Sequence, residues 1–385
     1  MDPDTTRQAA QSPCDRTTIV DDARAAGRAL LGSALAAIRR RGKIGLGYRG
    51  AVSNDEATIV SNSEAACLVE AAAAGLELLL PRDVPLGGPR AMPVQRVLPN
   101  KHRHFVGAWC FADAFGPSSM LGGPGMDVPP HPHTGLQTWS WLVDGAIEHR
   151  DSAGFSHTVR PGGLNIMTAG RGIAHSEYST PETDVLHGLQ LWTVLPSHER
   201  DREPSFDGLD SVPRVQLADG VSGSVFVGDF AGATSQVGAY TPLLGVELRM
   251  LAGSEVRLDL RGDFEHGVLA LTDGITVDDV VVGRGAMAYA APGRDALVVS
   301  AEHDGVAVLL GGEPFGEEIV MFWNFVGTDH DDVQEAREQW MRERDAGPGD
   351  RPRFGTVVDD EKHPLASPRL PSVQLLPRGR AKRRR

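Results

Sequence analysis

Cysteine is scarce: three in 385 residues, Cys14, Cys67 and Cys110, too few and too scattered for a disulfide framework or a thiolate metal site. Long apolar runs are missing as well. The longest candidate, 68–80, is short and broken by Glu70 and Glu77, so no membrane span is expected. No basic stretch followed by an apolar core opens the chain, and a soluble, cytoplasmic protein without a membrane partner is the expectation. Positive charge is also in deficit, 38 Lys and Arg against 51 Asp and Glu, for a net charge of −13. That argues against direct nucleic-acid binding, which needs a basic surface to neutralise phosphates. The basic end, Arg378, Arg380, Lys382, Arg383, Arg384 and Arg385, reads as a solvated tail.

Glycine and proline, by contrast, are plentiful at 45 and 26 residues, while aromatics make up 6%. This balance suits an all-β, turn-rich protein better than a helical bundle, and the length allows two domains plus extensions. Apolar and polar residues alternate with period two through much of the chain. From His131 one parity runs His131, His133, Gly135, Gln137, Trp139, Trp141, so ligand-type histidines and two tryptophans are expected on one strand face. Asp144-Gly145 reads as a two-residue hairpin turn, Pro161-Gly162-Gly163 ends a strand, and Gly170-Arg171-Gly172 lets the backbone bend ahead of His175.

His131-Pro132-His133 and His175-Ser176-Glu177 carry the chemistry. Residues i and i+2 of a strand project from one face, so each pair can converge on a point, and two facing strands would close a site. Three imidazoles and a carboxylate suit Fe(II), Mn, Ni, Cu or Zn and leave positions open for water, dioxygen or a substrate oxygen. A proline between the two histidines also fits an edge strand or an ordinary surface hairpin.

Segments 131–138, 145–152 and 167–177, in that order, resemble the pirin family of the cupin superfamily. The likeness extends through 84–88, 96–99 and 106–109 upstream and 322–327 downstream. The resemblance implies two cupin barrels (double-stranded β-helix, or jelly-roll) side by side, with one iron, Fe(II), in the first barrel held by His131, His133, His175 and Glu177. Where pirins commonly carry a basic residue and then an aromatic after the His-Pro-His run, this chain has Thr134 and Leu136. Gln137 fills the slot of the general cupin glutamate, and is expected to bond a ligand or a bound water rather than the metal.

The expected domains are an N-terminal extension over 1–77, a metal-bearing barrel over 78–205, a second barrel without metal over 206–326, and a C-terminal helix with the basic tail over 327–385. A helix with an alanine-rich face is expected at 21–41. In the second half, 254–260 alternates cleanly, Asp273-Gly274 repeats the hairpin signal, and His266 and His303 stand alone near turns. The C-terminal helix spans 328–343, capped by Thr328 with Asp331, and buries Val333, Ala336, Trp340 and Met341.

Resemblance to pirins implies an Fe(II)-dependent quercetin 2,3-dioxygenase acting on a flavonol-like aromatic substrate. Gln137, Trp139, Trp141 and Met167 are then the pocket walls, and Glu177 doubles as catalytic base for the flavonol hydroxyl. The alternative is a metal-bearing regulatory protein that acts through a protein partner without turnover. A metal-free cupin isomerase or sugar-binding protein is a third class, against which the four ligand-type residues argue.

Overall fold

Strands that alternate apolar and polar residues must bury one face, and here two sheets close on one another twice. The computed structural model describes residues 62–85, 92–122, 125–347 and 349–379; the helix expected at 21–41 lies outside them. A helix spans Asn62–Ala73. Within the unit Cys67–Arg385, the first strands are β1 (Glu77–Leu79), β2 (Arg82–Pro85), β3 (Pro93–Leu98), β4 (Trp109–Ser119), β5 (Asp127–His133), β6 (Leu136–Asp144), β7 (Ile147–Asp151), β8 (Ser156–Val159), β9 (Leu164–Thr168), β10 (Ile173–Ser179), β11 (Val185–Val194) and β12 (Ser205–Leu209). The larger sheet of the first barrel has seven strands in the order β12-β9-β6-β11-β4-β3-β2, and the four-stranded sheet β5-β10-β7-β8 faces it. The second barrel repeats this plan of seven strands and four. The protein is therefore all-β, with two jelly-roll barrels and a C-terminal helix.

The chain passes repeatedly from one sheet of a barrel to the other, and this corrects the reading of its turns. β6 and β7 do not pair; they lie in different sheets, so Asp144-Gly145 is a corner rather than a hairpin. Asp273-Gly274 likewise joins strands of different sheets, Glu265–Ala270 and Ile275–Val277. The corner between β5 and β6 is Gly135, at φ +70°, where an added Cβ would sit 2.4 Å from Val326 O. Left-handed backbone costs an L-residue about 1–2 kcal/mol before any clash. Gly135→Ala is expected to lower unfolding stability by at least about 2 kcal/mol, and an unchanged denaturation midpoint would contradict this role.

A shared apolar core runs through both barrels. Trp109 meets Trp139 edge-on at 5.4 Å, and Trp141 stacks on Phe226 of the second barrel at 5.1 Å. Each indole also has a polar handle: Trp109 Nε1 donates to Gly311 O (3.1 Å), Trp139 Nε1 to Thr193 Oγ1 (2.9 Å) and Trp141 Nε1 to Glu247 Oε2 (2.8 Å). Buried rings with satisfied N–H groups give large apolar contact without an orphaned donor.

The barrels exchange elements. β1 pairs with Met287–Tyr289 at the edge of the second barrel's sheet, while β12 pairs with β9 in the first. A hairpin of Val320–Phe322 and Phe325–Gly327 returns to the first barrel, where Val326 N donates to Thr134 O (3.1 Å). The helix that follows is His330–Glu343, and its cap is Asp329 rather than Thr328: the Asp329 side chain accepts from Asp332 N at 2.9 Å. Val333, Ala336 and Trp340 are buried and Met341 partly so. Beyond the helix the chain lies along the smaller sheet of the first barrel, with Ala174 N donating to Phe354 O (3.0 Å) and Leu365 N to Pro130 O (2.8 Å). Cys110 is a free, buried thiol. His266 sits in the strand Glu265–Ala270, fully buried and just past the turn at 261–264.

Candidate metal centre

β5 and β10 are antiparallel neighbours in the smaller sheet of the first barrel, with His175 opposite His131 and Ile173 opposite His133. Cross-strand partners share a face, so the three imidazoles point into the barrel together. Ring centroids are 5.1 Å apart for His131 and His133, 4.3 Å for His131 and His175, and 4.8 Å for His133 and His175. One ligand nitrogen from each of these three lies within 4.8 Å of the others. A register shift between His175 and Glu177 on the β5 side bends the strand. Glu177 consequently groups with His175 and His149 at the same 4.8 Å limit, rather than with His131 and His133. The four residues expected as ligands thus fall in two overlapping triads that share His175.

Several observations show that these residues fit a metal ion. All four expected ligands are buried. His131 Nδ1 is 2.9 Å from Pro129 O; a carbonyl only accepts, so Nδ1 carries the proton and Nε2 keeps its lone pair for the cluster. His133 Nδ1 and His175 Nε2 are buried without a hydrogen-bond partner. Orphaned buried polar atoms are rare, and two in one cluster are what an ion-binding site leaves when its residues are considered alone. The imidazole and carboxylate donors suit a divalent first-row transition metal.

Burial dominates the electrostatics. It lowers the His131 imidazole to about 4 and holds His133 and His175 well below the ordinary histidine value, with the neighbouring imidazoles adding to the effect. Burial raises the Glu177 carboxyl, partly offset by His149 and by the Ser140 hydroxyl. Without metal, the unfolded chain binds protons that the native histidines refuse, so stability is full above about pH 6.5 and is lost as pH falls toward 4. The drop from 6.5 to about 4 at His131 corresponds to on the order of 3 kcal/mol. Glu177 runs the other way and offsets part of the loss at the acid end. Urea unfolding of chelator-treated protein between pH 7.5 and 4 should show this decline; a flat profile would contradict it.

The wall facing the histidines differs from the expectation. Gly135 and the passage into the other sheet reset the alternation, so in β6 Thr138 and Ser140 turn toward the cluster. Gln137, Trp139 and Trp141 turn away. Gln137 bonds Thr168 and Thr193, Trp139 meets Trp109 and donates to Thr193, and Trp141 stacks on Phe226 of the second barrel. Met167 lies opposite Thr138 in β9, on the face toward the cluster. Ser140 Oγ donates to Glu177 Oε1 at 3.1 Å, with Gln190 Oε1 3.0 Å from the same hydroxyl. The register continues this row through Gln190 to Asp113, which Arg96 grips bidentately at 2.7 and 2.8 Å. Beside the row, the Arg96 guanidinium lies 4.2 Å from the Phe111 ring centroid, Phe111 stacks on Trp192 at 3.8 Å, and Trp192 meets His133 edge-on at 5.1 Å.

Sequence reasoning assigned no role to Ser140, Gln190, Asp113, Arg96, Phe111, Trp192, His149 or Asp151. The signal for the last two was present: His149 and Asp151 have the same i, i+2 spacing as the recognised pairs. For the rest, nothing local announces that strands so far apart in sequence will align.

Comparison with known proteins agrees with this architecture. The family profile described as Pirin matches residues 91–193, and that described as Pirin C-terminal cupin domain matches residues 245–345. A Pseudomonas aeruginosa protein, provisionally named quercetin 2,3-dioxygenase, is 40% identical over 296 residues, covering 77% of this chain and 91% of its own length. A pirin-like protein of Caulobacter vibrioides is 34% identical, over 65% of this chain and 88% of that protein. The crystal structure of a quercetin 2,3-dioxygenase from Acinetobacter baumannii superposes with a TM-score of 0.73 at 35% identity, covering 78% of this chain and 98% of that one.

Proposed function

Because the chain belongs to the pirin family, we propose that it is a dioxygen-dependent oxidoreductase of the quercetin 2,3-dioxygenase type, with a flavonol as substrate and one Fe(II) as its metal. The observation that carries this reading is the triad His131, His133 and His175, three buried imidazoles with ligand nitrogens inside 4.8 Å. Glu177 lies beside it. The relatives named for quercetin oxidation support the substrate class.

His131, His133 and His175 would hold the ion, with Glu177 as the fourth ligand. A bound Fe(II) would supply the Lewis acidity and redox capacity that reaction with dioxygen requires. The chain's own residues do the remainder. Glu177, its carboxyl raised by burial and one oxygen held by Ser140, accepts the proton of the flavonol hydroxyl. Trp192, Phe111 and Met167 offer apolar surface to a planar ring, while Ser140 and Gln190 offer polar groups to its oxygens. The barrel walls keep bulk water from the cluster, which strengthens each of these contacts.

The test is anaerobic reconstitution with Fe(II), followed by oxygen uptake on adding quercetin. Uptake matching quercetin consumption and dependent on the metal is expected. Tight metal binding without substrate-dependent uptake would replace this reading with that of a metal-bearing regulatory protein.

A further inference from the structure

Beside the triad lie two buried side chains, linked to it by hydrogen bonds, that the proposed reaction does not use. His149 is 2% exposed and Asp151 fully buried; they sit two apart on β7, the strand paired with β10 on the side away from β5. Asp151 Oδ1 accepts from the backbone N–H groups of Ala153 (2.9 Å) and Phe155 (3.1 Å), and Oδ2 is 3.0 Å from His149 Nε2. His149 Nδ1 in turn is 3.2 Å from His175 Nδ1. Phe206 stacks on the His149 ring at 4.5 Å with an interplanar angle of 22°, which fixes the ring plane.

Counting protons along this chain with both imidazoles neutral leaves one arrangement. A carboxylate only accepts, so the proton between Asp151 and His149 sits on His149 Nε2. In a neutral imidazole the other nitrogen is then an acceptor, so the proton of the next bond sits on His175 Nδ1. His175 Nε2 is left with its lone pair, and it is the His175 nitrogen that has no hydrogen-bond partner. The geometry points to His149 as a positioning residue, backed by Asp151, that holds His175 in the Nδ1–H tautomer with Nε2 free to ligate a divalent metal. It plays for His175 the part that Pro129 O plays for His131. This inference rests on the reading of the triad as a metal site, but not on the nature of the substrate.

The two backbone donors make Asp151→Asn a sharp test. Ala153 N and Phe155 N can only donate, so the asparagine must turn its carbonyl oxygen to them and its amide nitrogen toward His149. His149 Nε2 then has to accept, the proton moves to Nδ1, and His175 is forced to carry its own proton on Nε2, where it blocks ligation. Co(II) titration of the full-length protein against a competing chelator reads the consequence, with the visible spectrum of the bound ion reporting coordination. Loss of a partner that orients a ligand typically costs about 10- to 100-fold in metal affinity. That loss is expected for Asp151→Asn and for His149→Phe, which keeps a ring against Phe206 but has no acceptor. His149→Asn places an amide oxygen near the Nδ1 position and should stay within about threefold of wild type. Nitrogen-15 NMR of histidine-labelled, metal-free protein should show His175 protonated at Nδ1 in wild type and at Nε2 in Asp151→Asn.

Wild-type affinity in Asp151→Asn and His149→Phe, or an Nε2–H tautomer of His175 in the wild type, would overturn the assignment. So would loss of binding in His149→Asn with an altered Co(II) spectrum, which would make His149 a ligand itself. Failure of the wild type to bind Co(II) would instead remove the metal site, and this inference with it.

Discussion

His133→Ala is expected to abolish metal-dependent oxygen uptake, and Glu177→Gln to lower kcat sharply while leaving much of the metal in place. The two losses have different causes. His133 is 1% exposed, with its ring 4.8 Å from that of His175 and packed edge-on against Trp192. Alanine removes one of three imidazoles, and no other histidine lies on that side of the triad among the described residues to replace it. Metal content by elemental analysis should fall below the detection limit after desalting, and quercetin-dependent uptake should fall to that of buffer with Fe(II). Glutamine at 177 keeps the shape and can still meet Ser140, but it cannot take a proton. General-base catalysis is worth about 10²–10⁴-fold, and a loss of that size in kcat, with the three imidazoles intact, is the expected result. Full activity in Glu177→Gln would assign the proton transfer elsewhere.

Trp141→Ala should destabilise the protein by about 3–5 kcal/mol, the usual cost of removing a buried large aromatic, and should leave KM for quercetin nearly unchanged. The side chain is fully buried, stacks on Phe226 and donates to Glu247, a carboxylate only 1% exposed. Trp141→Phe would keep most of the packing and lose only the N–H, at about 1 kcal/mol, because Arg249 still bonds the Glu247 carboxylate. Chemical denaturation together with steady-state kinetics separates the possibilities. A raised KM with unchanged stability would return Trp141 to the substrate pocket, where its position in the alternation had first suggested it belonged.

That reversal shows where sequence is informative and where it stops. The i, i+2 spacings of His131 with His133 and of His175 with Glu177 are local, and a strand fixes their common face whatever its neighbours do. The helix at 330–343 was equally legible, because its apolar stripe and acidic first turn lie within fourteen residues. Trp139 and Trp141 were misread because alternation was carried through Gly135, where a left-handed residue and a change of sheet reset it. Asp144-Gly145 was misread for a related reason: a tight turn looks the same in sequence whether the next strand pairs with the last or crosses to the opposite sheet. Arg96, Asp113, Gln190 and Ser140 form one row because four strands align, and alignment between distant strands is a property of the assembled sheet. His149 and Asp151 had the right spacing, yet only the bond to His175 gives that spacing a meaning.

The exchange of edge strands has a bearing on how the protein can be divided. A cut between residues 205 and 206, at the boundary that composition and resemblance suggest, passes through β12 and would strip the first barrel of a border strand. The same cut strands β1 on the wrong fragment, away from Met287–Tyr289, and parts the returning hairpin from Thr134. Neither half is a self-sufficient module, so gene fusion, circular permutation or recombination with related proteins would have to treat the pair of barrels as a single heritable block.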